Sequence, residues 1–581
     1  MSTNWDQEFD VVVVGSGAGG MTAALCAQAQ GLSSVVLEKT DRYGGTTAVS
    51  GGGIWIPCND GMPATGIGDS YEEALTYMNY LTGGEVPGAR IEAYLRNAPE
   101  MVRHMQRTFG VQFRPVAKYP DYFPDKPGGK PGARTMEPVE FDASRLGAEF
   151  ARQREPYKGT LVLGRIAMNQ VEAHELFSRA PGWMGIMLRL MLKYWLDFSW
   201  RRKGARDRRQ TLGQALVAQL RHAMLQQKIP LLLDSPLESL VEDSSINGGR
   251  VTGVVISQNG QRRRIAARRG VVLASGGFES NQQMREQYLP RPTSAAWTAA
   301  PGLNQGDGIR AGQQLGAATQ FMNLTWGTPT VVVPGAQAAG IFVERSLPGC
   351  VVVNGHGRRF VNEAVPYTEF IYAMYADHAK TGRSVPCWMV FDARFRKEYP
   401  CGPMLPGGFV PDSKLPKDWL DKVYYRADTL DALAQKIGVD AQGLAQSVAD
   451  INRFAASGRD EQFGKGSNEF ERYYADPKIK PNPCLAPIVQ APFYAFRLDA
   501  GEIGTKGGLV TDERARVLRE DGSAIAGLYA VGNCSAAVMG KTYAGPGATL
   551  GPAMTFAFIA ARDIAQSSQS TPAKAGVAAA A

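Results

Sequence analysis

The stretch FDVVVVGSGAGGMTAALCAQAQGLSSVVLEK, residues 9–39, decides the fold of this chain. It opens with a run of valines, which is typical of a parallel strand buried on both faces. The motif GxGxxG follows directly as Gly15, Gly17 and Gly20, and a helix of small residues comes next. A second strand then ends in Glu38. This order of strand, turn, helix, strand and acid predicts a Rossmann-like dinucleotide-binding unit.

The glycines of this unit allow the helix N-terminus to approach a pyrophosphate, and Glu38 is placed to accept hydrogen bonds from ribose hydroxyls. NAD and FAD both fit such a unit, so the rest of the chain must decide between them. Three further segments are rich in glycine at strand ends: DRYGGTTAVSGGGIW (41–55), RRGVVLASGGFESN (268–281) and GLYAVGN (527–533). Such dispersed segments favour the extended FAD molecule over a nicotinamide cofactor.

Composition indicates a globular protein of more than one domain. The 581 residues are 44% hydrophobic and 20% charged, which is ordinary for an enzyme. Seven scattered cysteines form no CxxC pair, and neither they nor the five histidines have metal-ligand spacing, so we expect no metal site. The polar N-terminus MSTNWDQEFD has no signal-peptide pattern, and a cytoplasmic protein is therefore expected.

One apolar segment stands apart from the rest of the chain. WMGIMLRLMLKYWLDFSW, residues 183–200, carries its three charges at a spacing of four, on one stripe of a helix. The adjoining RRKGARDRR, 201–209, holds six basic residues and one acidic residue. We predict that 183–209 lies on an anionic membrane surface, with an oligomer interface or a core helix as alternatives. Nucleic acid is not expected as a partner, because no recognition motif accompanies the basic residues.

The segments GSGAGG, GGTT–SGGG, ASGGF and GLYAVGN together resemble the fumarate reductase/succinate dehydrogenase flavoprotein superfamily over essentially the whole chain. This resemblance implies an α/β fold, with a Rossmann-like FAD-binding domain and an inserted α+β catalytic cap domain. The expected FAD-binding domain comprises residues 1–324, with an insertion at about 176–210, and 491–581; the cap comprises 325–490. The tail, 567–581, is expected to be disordered.

The cofactor implied by this resemblance is FAD. Some relatives attach it through a histidine in the early loop, but this chain has no histidine before His104, so noncovalent binding is expected. The residues expected to contact FAD lie in the glycine-rich segments and at the start of the last helix. They are Gly15, Ser16, Gly17, Ala18, Gly19, Gly20, Glu38, Lys39, Gly45, Thr46, Thr47, Ser50, Gly51, Gly52, Ala274, Gly276, Asp307, Gly532, Asn533, Ala548 and Leu550.

Three longer segments resemble the 3-ketosteroid Δ1-dehydrogenases: YPDYF (119–123), ERSLPGCVVVNGHGRRFVNEAVPYTE (344–369) and TYAGPGATLGPAMTF (542–556). The resemblance implies that Tyr543 and the Gly547 N–H polarise the C3 carbonyl, and that Tyr367 takes the C2 proton while C1 gives hydride to the flavin. Tyr122 would support Tyr367, with Tyr119 as the alternative. A lipophilic 3-ketosteroid, such as cholest-4-en-3-one, is the expected substrate.

Other functions remain open at this level. A 3-ketosteroid Δ4-(5α)-dehydrogenase would use the same fold, and a fumarate-reductase-like enzyme is a more distant alternative. Dicarboxylate substrates need cationic ligands, whereas Lys541 is the only cation of the loop GKTYAGPGATLG. A flavoprotein without turnover is the alternative from a different class. If the enzyme lies peripherally on the inner face of the cell membrane, a quinone is the expected electron acceptor.

Overall fold

The computed structural model describes residues 4–245 and 249–567. The tail that we expect to be disordered lies outside these residues except for Ser567. Two sheets dominate the described chain, one of eight strands and one of six. Their topology confirms the predicted α/β class, in which a Rossmann-like domain is interrupted by a cap.

The eight-stranded sheet is the core of the nucleotide-binding domain. The strand Gln7–Val14 lies in its middle, between Ser34–Leu37 and Gln261–Leu273, and is parallel to both. Four valines of this strand, 11–14, are at most 5% exposed, because helices cover both faces of the sheet. From one edge to the other the strands are Leu231–Leu232, Ser34–Leu37, Gln7–Val14, Gln261–Leu273, Arg250–Gln258, Ala524–Ala530 and Arg516–Leu518, with Leu237–Asp243 also paired to Arg250–Gln258.

The six-stranded sheet belongs to the cap. Its strands in order are Ala339–Gly340, Thr325–Val331, Phe493–Thr505, Cys387–Phe391 and Cys350–Val353, with Tyr424–Ala427 paired to Phe493–Thr505. The sequence analysis places 493–505 in the second FAD-binding segment. Because this strand pairs with three strands of the cap, we propose to set the domain boundary after Thr505.

Four smaller sheets and the helices complete the fold of the described residues. The small sheets pair Ile54–Trp55 and Phe113–Pro115 with Thr135–Pro138, Phe141–Asp142 with Arg209–Gln210, Leu161–Val162 with Ile166–Ala167, and Thr319–Gln320 with Gly508–Leu509. The α-helices outside the cap are Ala18–Ala29, Tyr71–Thr82, Gly88–Phe109, Gln170–Phe177, Trp183–Trp195, Phe198–Arg201, Leu212–Gln226, Gln282–Tyr288, Asp307–Gln314 and Leu550–Ser567. Those of the cap are Tyr367–Thr381, Ala393–Glu398, Leu430–Ile437, Ala441–Ser457 and Glu469–Tyr473.

The apolar segment 183–200 forms two helices, Trp183–Trp195 and Phe198–Arg201, because Asp197 caps the second helix at the Trp200 N–H. Leu190 and Tyr194 bury one face of the longer helix against the protein. Within the described ranges, no helix is long and apolar enough to cross a bilayer.

Candidate active site

A cavity of about 410 Å³ runs between the nucleotide-binding sheet and the cap. Its two ends differ in chemistry. One end is lined by the glycine-rich segments that follow the central strands, and the other by aromatic side chains. Glu38, Lys39 and Asp307 are the charged residues among the described lining, and all three belong to the cofactor segments. The aromatic end therefore suits a neutral, apolar molecule rather than a dicarboxylate.

The nucleotide end is formed by backbone at the start of the helix Ala18–Ala29. This helix has Gly17 as its N-cap, with no acidic residue in its first turn, so its N-terminus is open to an anion. A Cβ added to Gly45 would lie 3.8 Å from the Gly17 Cα, so the two glycine backbones face each other closely. A pyrophosphate fits this arrangement because bare N–H groups and the helix dipole both favour it.

Glu38 has the environment that a ribose-binding acid requires. Its carboxylate is 7% exposed and accepts hydrogen bonds from the Ser16 hydroxyl at 2.5 Å and the Thr40 hydroxyl at 2.9 Å. Lys39 forms an ion pair of 2.7 Å with Asp307, which joins the end of the second strand to the start of another helix. These residues fit the adenosine part of FAD.

Most of the predicted cofactor residues line this cavity. They are Gly15, Ser16, Gly17, Ala18, Gly19, Glu38, Lys39, Gly45, Thr46, Thr47, Ser50, Gly51, Ala274, Gly276, Asp307, Gly532, Asn533 and Leu550. Three others have packing positions instead. A Cβ at Gly20 would lie 1.9 Å from the Gly15 carbonyl oxygen, and one at Gly52 would meet the Leu212 backbone at 2.3 Å. Ala548 is buried and lines a smaller neighbouring cavity, which shares Gly532 and Thr549 with the main one.

Three tyrosines from distant parts of the chain meet at the aromatic end. Tyr122 lies in the loop between the strands Phe113–Pro115 and Thr135–Pro138, Tyr367 begins the cap helix Tyr367–Thr381, and Tyr543 precedes the last helix. The Tyr122 hydroxyl donates to the Tyr367 hydroxyl at 2.9 Å. The Tyr543 ring lies 5.0 Å from that of Tyr122 and 5.6 Å from that of Tyr367, edge to face in both cases. The structure thus brings together the side chains that the resemblance pairs.

Burial controls the electrostatics of these phenols. It raises the pKa of Tyr367 well above its usual value of 10.0, while the hydrogen bond from Tyr122 acts in the opposite direction. Burial likewise raises the pKa of Tyr122 well above this value and that of Tyr543 above it. Tyr543 therefore keeps its proton at neutral pH, and the hydrogen bond from Tyr122 partly offsets the effect of burial on the pKa of Tyr367.

Tyr543 does not itself line the cavity, but contacts three residues that do: Tyr122, Tyr367 and Thr549. The Thr549 hydroxyl donates to the Tyr543 oxygen at 3.0 Å, which leaves the phenolic hydrogen available for another acceptor. Gly547 has φ of 91°, and an added Cβ would lie 2.6 Å from the Gly53 backbone. In the described part of the chain, no acceptor takes the Gly547 N–H.

Tyr119, the alternative partner of Tyr367, also lines the cavity. It stacks on Tyr473 with ring centroids 4.6 Å apart and meets Tyr474 edge to face. The direct hydrogen bond to Tyr367 comes from Tyr122. The geometry therefore favours Tyr122 over Tyr119 as the supporting residue.

Several lining residues carried no recognisable signal in the sequence. Phe342 packs edge to face on Tyr367 at 5.3 Å, and Phe470 lies 4.8 Å from Tyr122. Both line the cavity, but the sequence analysis did not predict them as site residues. The same holds for Tyr157, Leu303, Asn304, Tyr474, Ile503 and Thr549. For Tyr474, the one available signal was the pair of adjacent tyrosines in ERYYAD (471–476).

The Rossmann-like sheet, the inserted cap and the nucleotide cavity define an FAD-dependent oxidoreductase. The family model described as FAD binding domain matches residues 10–550. Over 96% of the chain, the sequence is 45% identical to a 3-oxosteroid 1-dehydrogenase of Comamonas testosteroni, covering 97% of that protein. The chain thus belongs to the 3-oxosteroid 1-dehydrogenase family of FAD-binding flavoproteins.

Solved structures agree with this assignment. A 3-ketosteroid Δ1-dehydrogenase from Sterolibacterium denitrificans, in complex with 1,4-androstadiene-3,17-dione, has a TM-score of 0.94 and 54% identity, covering 97% of this chain and 100% of that one. A 3-ketosteroid Δ4-(5α)-dehydrogenase from Rhodococcus jostii has a TM-score of 0.64 at 23% identity, covering 97% and 98%, and shows the same fold. Both the predicted family and the predicted FAD cofactor are confirmed.

Proposed function

We propose that this chain removes hydrogen from C1 and C2 of a 3-ketosteroid. The observation that carries this proposal is the meeting of Tyr122, Tyr367 and Tyr543 at an aromatic cavity end whose described lining has no charged side chain. A ketone offers one neutral acceptor oxygen, which two uncharged donors can satisfy. A steroid ring system supplies the apolar surface that aromatic walls bury.

The roles of the residues follow from their hydrogen bonds. Tyr543 and the Gly547 N–H donate to the C3 oxygen, where negative charge develops when C2 loses its proton. Tyr367 takes that proton, and Tyr122 stabilises the resulting phenolate by donating to its oxygen. Bound FAD supplies the acceptor for the hydride from C1.

We propose that FAD is bound without a covalent link. The described lining of the cavity contains no histidine, the residue through which some members of the superfamily attach FAD. The open helix N-terminus and the Glu38 carboxylate provide the noncovalent contacts. Precipitation of the protein with acid tests this: FAD should appear in the supernatant, and flavin retained in the pellet would contradict the proposal.

The competing function is Δ4-(5α) dehydrogenation, which uses the same fold. The purified enzyme is incubated anaerobically with a 4-ene-3-ketosteroid and, separately, with its 5α-saturated analogue, each with a dye as electron acceptor. Mass and ring-A absorbance should show a 1,4-diene from the first compound and a 1-ene from the second. Formation of a 4-ene from the saturated compound would identify the competing function, and absence of any product would exclude both.

We propose further that the enzyme takes a side-chain-bearing steroid, such as cholest-4-en-3-one, from a membrane on which it lies peripherally. The helix Trp183–Trp195 and the residues after it present an apolar outer face. Met184, Leu188, Leu192 and Leu196 are 69%, 58%, 49% and 60% exposed, and their spacing of four places them on one side. Exposure on this scale disfavours the core-helix alternative and supports a lipid surface or a second copy.

This apolar face continues onto the cap. The Trp183 ring meets the Phe409 ring edge to face at 6.2 Å, and Phe409 is 61% exposed. Arg179 forms an ion pair of 3.2 Å with Glu398 beside this contact. An exposed apolar surface that spans two domains supports contact with a bilayer.

The basic run 201–209 contributes less charge to this surface than the sequence analysis assumed. Arg206 donates to three acceptors inside the protein, Arg208 pairs with Asp197, and Arg209 pairs with Glu140 and Glu172. Arg202 and Lys203 stay exposed. Apolar contact should therefore dominate membrane binding, with a moderate dependence on salt.

The membrane proposal is tested with the double variant Leu188→Ser/Leu192→Ser, which leaves the internal bonds of the basic run in place. Binding to vesicles of phosphatidylcholine and phosphatidylglycerol should fall at least about tenfold, because two exposed apolar side chains are lost. Val489→Ser, at a 61% exposed site on the cap, is the matched control. Unchanged vesicle binding would overturn the proposal, and loss of a dimer in light scattering would assign the face to a second copy.

If the enzyme lies on a membrane, we propose a membrane quinone as its electron acceptor. This proposal depends on the membrane location and on no single residue. Turnover with a short-chain quinone should exceed turnover with NAD⁺ by orders of magnitude, and equal rates would contradict it.

A further inference from the structure

A buried lysine lies directly beneath the loop that carries Tyr543. Lys506 follows the cap strand Phe493–Thr505 and is 0% exposed. Its Nζ donates to the carbonyl oxygens of Lys541 at 2.6 Å and Thr542 at 2.5 Å. These are the two residues immediately before Tyr543, so one side chain holds the backbone that sets the position of the phenol.

Two aromatic residues connect Lys506 to the rest of the site. The Trp326 ring lies 4.7 Å from the Lys506 Nζ and packs against the Tyr543 ring at 4.6 Å. The Tyr372 hydroxyl donates to the Lys541 carbonyl at 2.6 Å, and Tyr372 belongs to the cap helix that begins with Tyr367. The Lys541 carbonyl is therefore held from the cap by two donors at once.

The cost of burial indicates that this lysine is retained for its contacts. Burial lowers the pKa of Lys506 to about 7, and Glu369 and Glu85 only partly oppose this effect. Lys506 forms no ion pair within 4.0 Å among the described residues, and a buried amine without one destabilises a fold compared with an apolar side chain of similar size. An apolar side chain could not form the two hydrogen bonds to the carbonyl oxygens of Lys541 and Thr542. The amine of Lys506 can donate to these oxygens in both its charged and its neutral form.

We infer that Lys506 is a positioning residue, which fixes the Tyr543 hydroxyl and the Gly547 N–H relative to Tyr367 on the cap helix. The inference rests on the proposed function, in which Tyr543 and Gly547 polarise the ketone. Lys506 acts through the backbone of residues 541 and 542 and does not touch the substrate. A displacement of about 1 Å in such a donor pair is enough to cost about a hundredfold in rate.

The test is Lys506→Met, which keeps the length and the apolar stem of the side chain but removes the amine that donates both hydrogen bonds. The probe is androsta-1,4-diene-3,17-dione labelled with carbon-13 at C3, bound to the FAD-loaded enzyme. Its carbonyl band in the infrared reports polarisation directly. In the variant the band should move back toward its position in apolar solvent, and kcat should fall about 10- to 100-fold with a smaller change in KM.

Lys465→Met is the matched control. Lys465 is also a buried lysine, 1% exposed, but it lies in the cap 3.6 Å from Glu363. Its replacement is expected to lower stability and leave the carbonyl band in place. If Lys506→Met does not fold, Lys506→Gln keeps an N–H₂ donor on a shorter side chain and should show a smaller shift in the same direction.

The outcomes separate the two proposals. If the band of the wild-type complex equals that of the steroid in apolar solvent, the proposed donors Tyr543 and Gly547 fail, and the Lys506 inference fails with them. If the wild-type band is shifted and a folded Lys506→Met or Lys506→Gln shows the same shift and kcat, only the inference about Lys506 is overturned.

Discussion

The Tyr122 hydroxyl donates to the Tyr367 hydroxyl across 2.9 Å, although 245 residues separate them in the chain. Tyr122 is 3% exposed and comes from the FAD-binding domain, whereas Tyr367 begins a helix of the cap. Because the donor and the acceptor belong to different domains, the hydrogen bond that would support the proposed phenolate at Tyr367 forms only when the two domains are in contact. The proposed base is thus assembled by the domain interface.

Tyr367→Phe should lower kcat by about 10²- to 10⁴-fold, since it removes the group that takes the C2 proton. Flavin content and the unfolding temperature should stay close to wild type, because the ring and its packing remain. The measurement is steady-state dehydrogenation of a 4-ene-3-ketosteroid. Tyr375→Phe, on the same helix with its hydroxyl donated to the Pro292 carbonyl, is the control that should keep full activity. Retained turnover in Tyr367→Phe would assign the base to another residue.

Tyr122→Phe should lower kcat less, by about 10- to 100-fold, because the base survives and loses only its donor. The lost hydrogen bond had opposed the rise in the pKa of Tyr367, so that pKa should rise further. The deficit relative to wild type should therefore persist at alkaline pH. Tyr119→Phe, measured in parallel, should lose less activity; a larger loss than in Tyr122→Phe would make Tyr119 the supporting residue.

Activity should increase with pH above about 8. Burial raises the pKa of Tyr367 well above 10.0, so the phenolate fraction grows about tenfold for each pH unit below that pKa. Tyr543 keeps its proton in this range, because its pKa is also raised, and the carbonyl donor is preserved. Glu279 and Lys506, whose pKa values are about 7, are both deprotonated by then. A kcat profile that is flat from pH 8 to 9.5, with proton removal rate-limiting as shown by a C2 isotope effect, would contradict a phenolate base.

Tyr543→Phe should lower kcat by about 10²- to 10³-fold, the usual loss when one donor to a developing oxyanion is removed. Stability should change little, since the ring contacts to Tyr122, Tyr367 and Trp326 do not need the hydroxyl. The C3 carbonyl band of a bound steroid should lose part of its shift. Thr549→Val is informative beside it: it removes a donor to the Tyr543 oxygen, and activity should fall by less than tenfold.

Glu279→Gln should stabilise the protein at pH 8 but not near pH 5. Glu279 is 0% exposed, and burial raises its pKa from 4.5 to about 7. The folded state thus favours the protonated acid: this stabilisation is complete below about pH 4.5 and is lost as pH rises through 7. The rise of the pKa from 4.5 to about 7 corresponds to at most about 3 to 4 kcal/mol, a cost that the neutral amide avoids at pH 8.

The measurement is urea denaturation with saturating FAD at both pH values. Glu520→Gln, at an exposed site, is the matched control and should change the free energy of unfolding at neither pH. An equal effect of Glu279→Gln at pH 5 and pH 8 would show that folding does not raise the pKa of Glu279.

The cofactor end was predictable because its signals are local. Gly15, Gly17 and Glu38 lie within one strand–helix–strand unit, and the physics of a phosphate at a helix N-terminus dictates their types and their order. The glycine-rich segments were also recognisable from their composition. What the pattern could not separate was contact from packing: Gly20 and Gly52 have the same residue type as Gly17, but their missing side chains admit neighbouring backbone rather than ligand.

The insertion shows the opposite limit. An apolar helix followed by six basic residues predicts a surface that is both apolar and positively charged. The apolar part of this prediction agrees with the exposed side chains of Met184 and Leu188. The basic part does not, because Arg206 and Arg209 bind acceptors outside the insertion and Arg208 pairs with Asp197 within it. Ion pairs between distant residues leave no periodic trace in a sequence.

By itself the sequence determined the fold class, the FAD-binding segments and, through its long motifs, the family, because each of these depends on residues close together in the chain. Only the tertiary structure decided which tyrosine donates to Tyr367, that Lys506 supports the Tyr543 loop, and which arginines stay free. These depend on side chains that meet across hundreds of residues, where partner and distance are set by the packing of two domains and not by spacing along the chain.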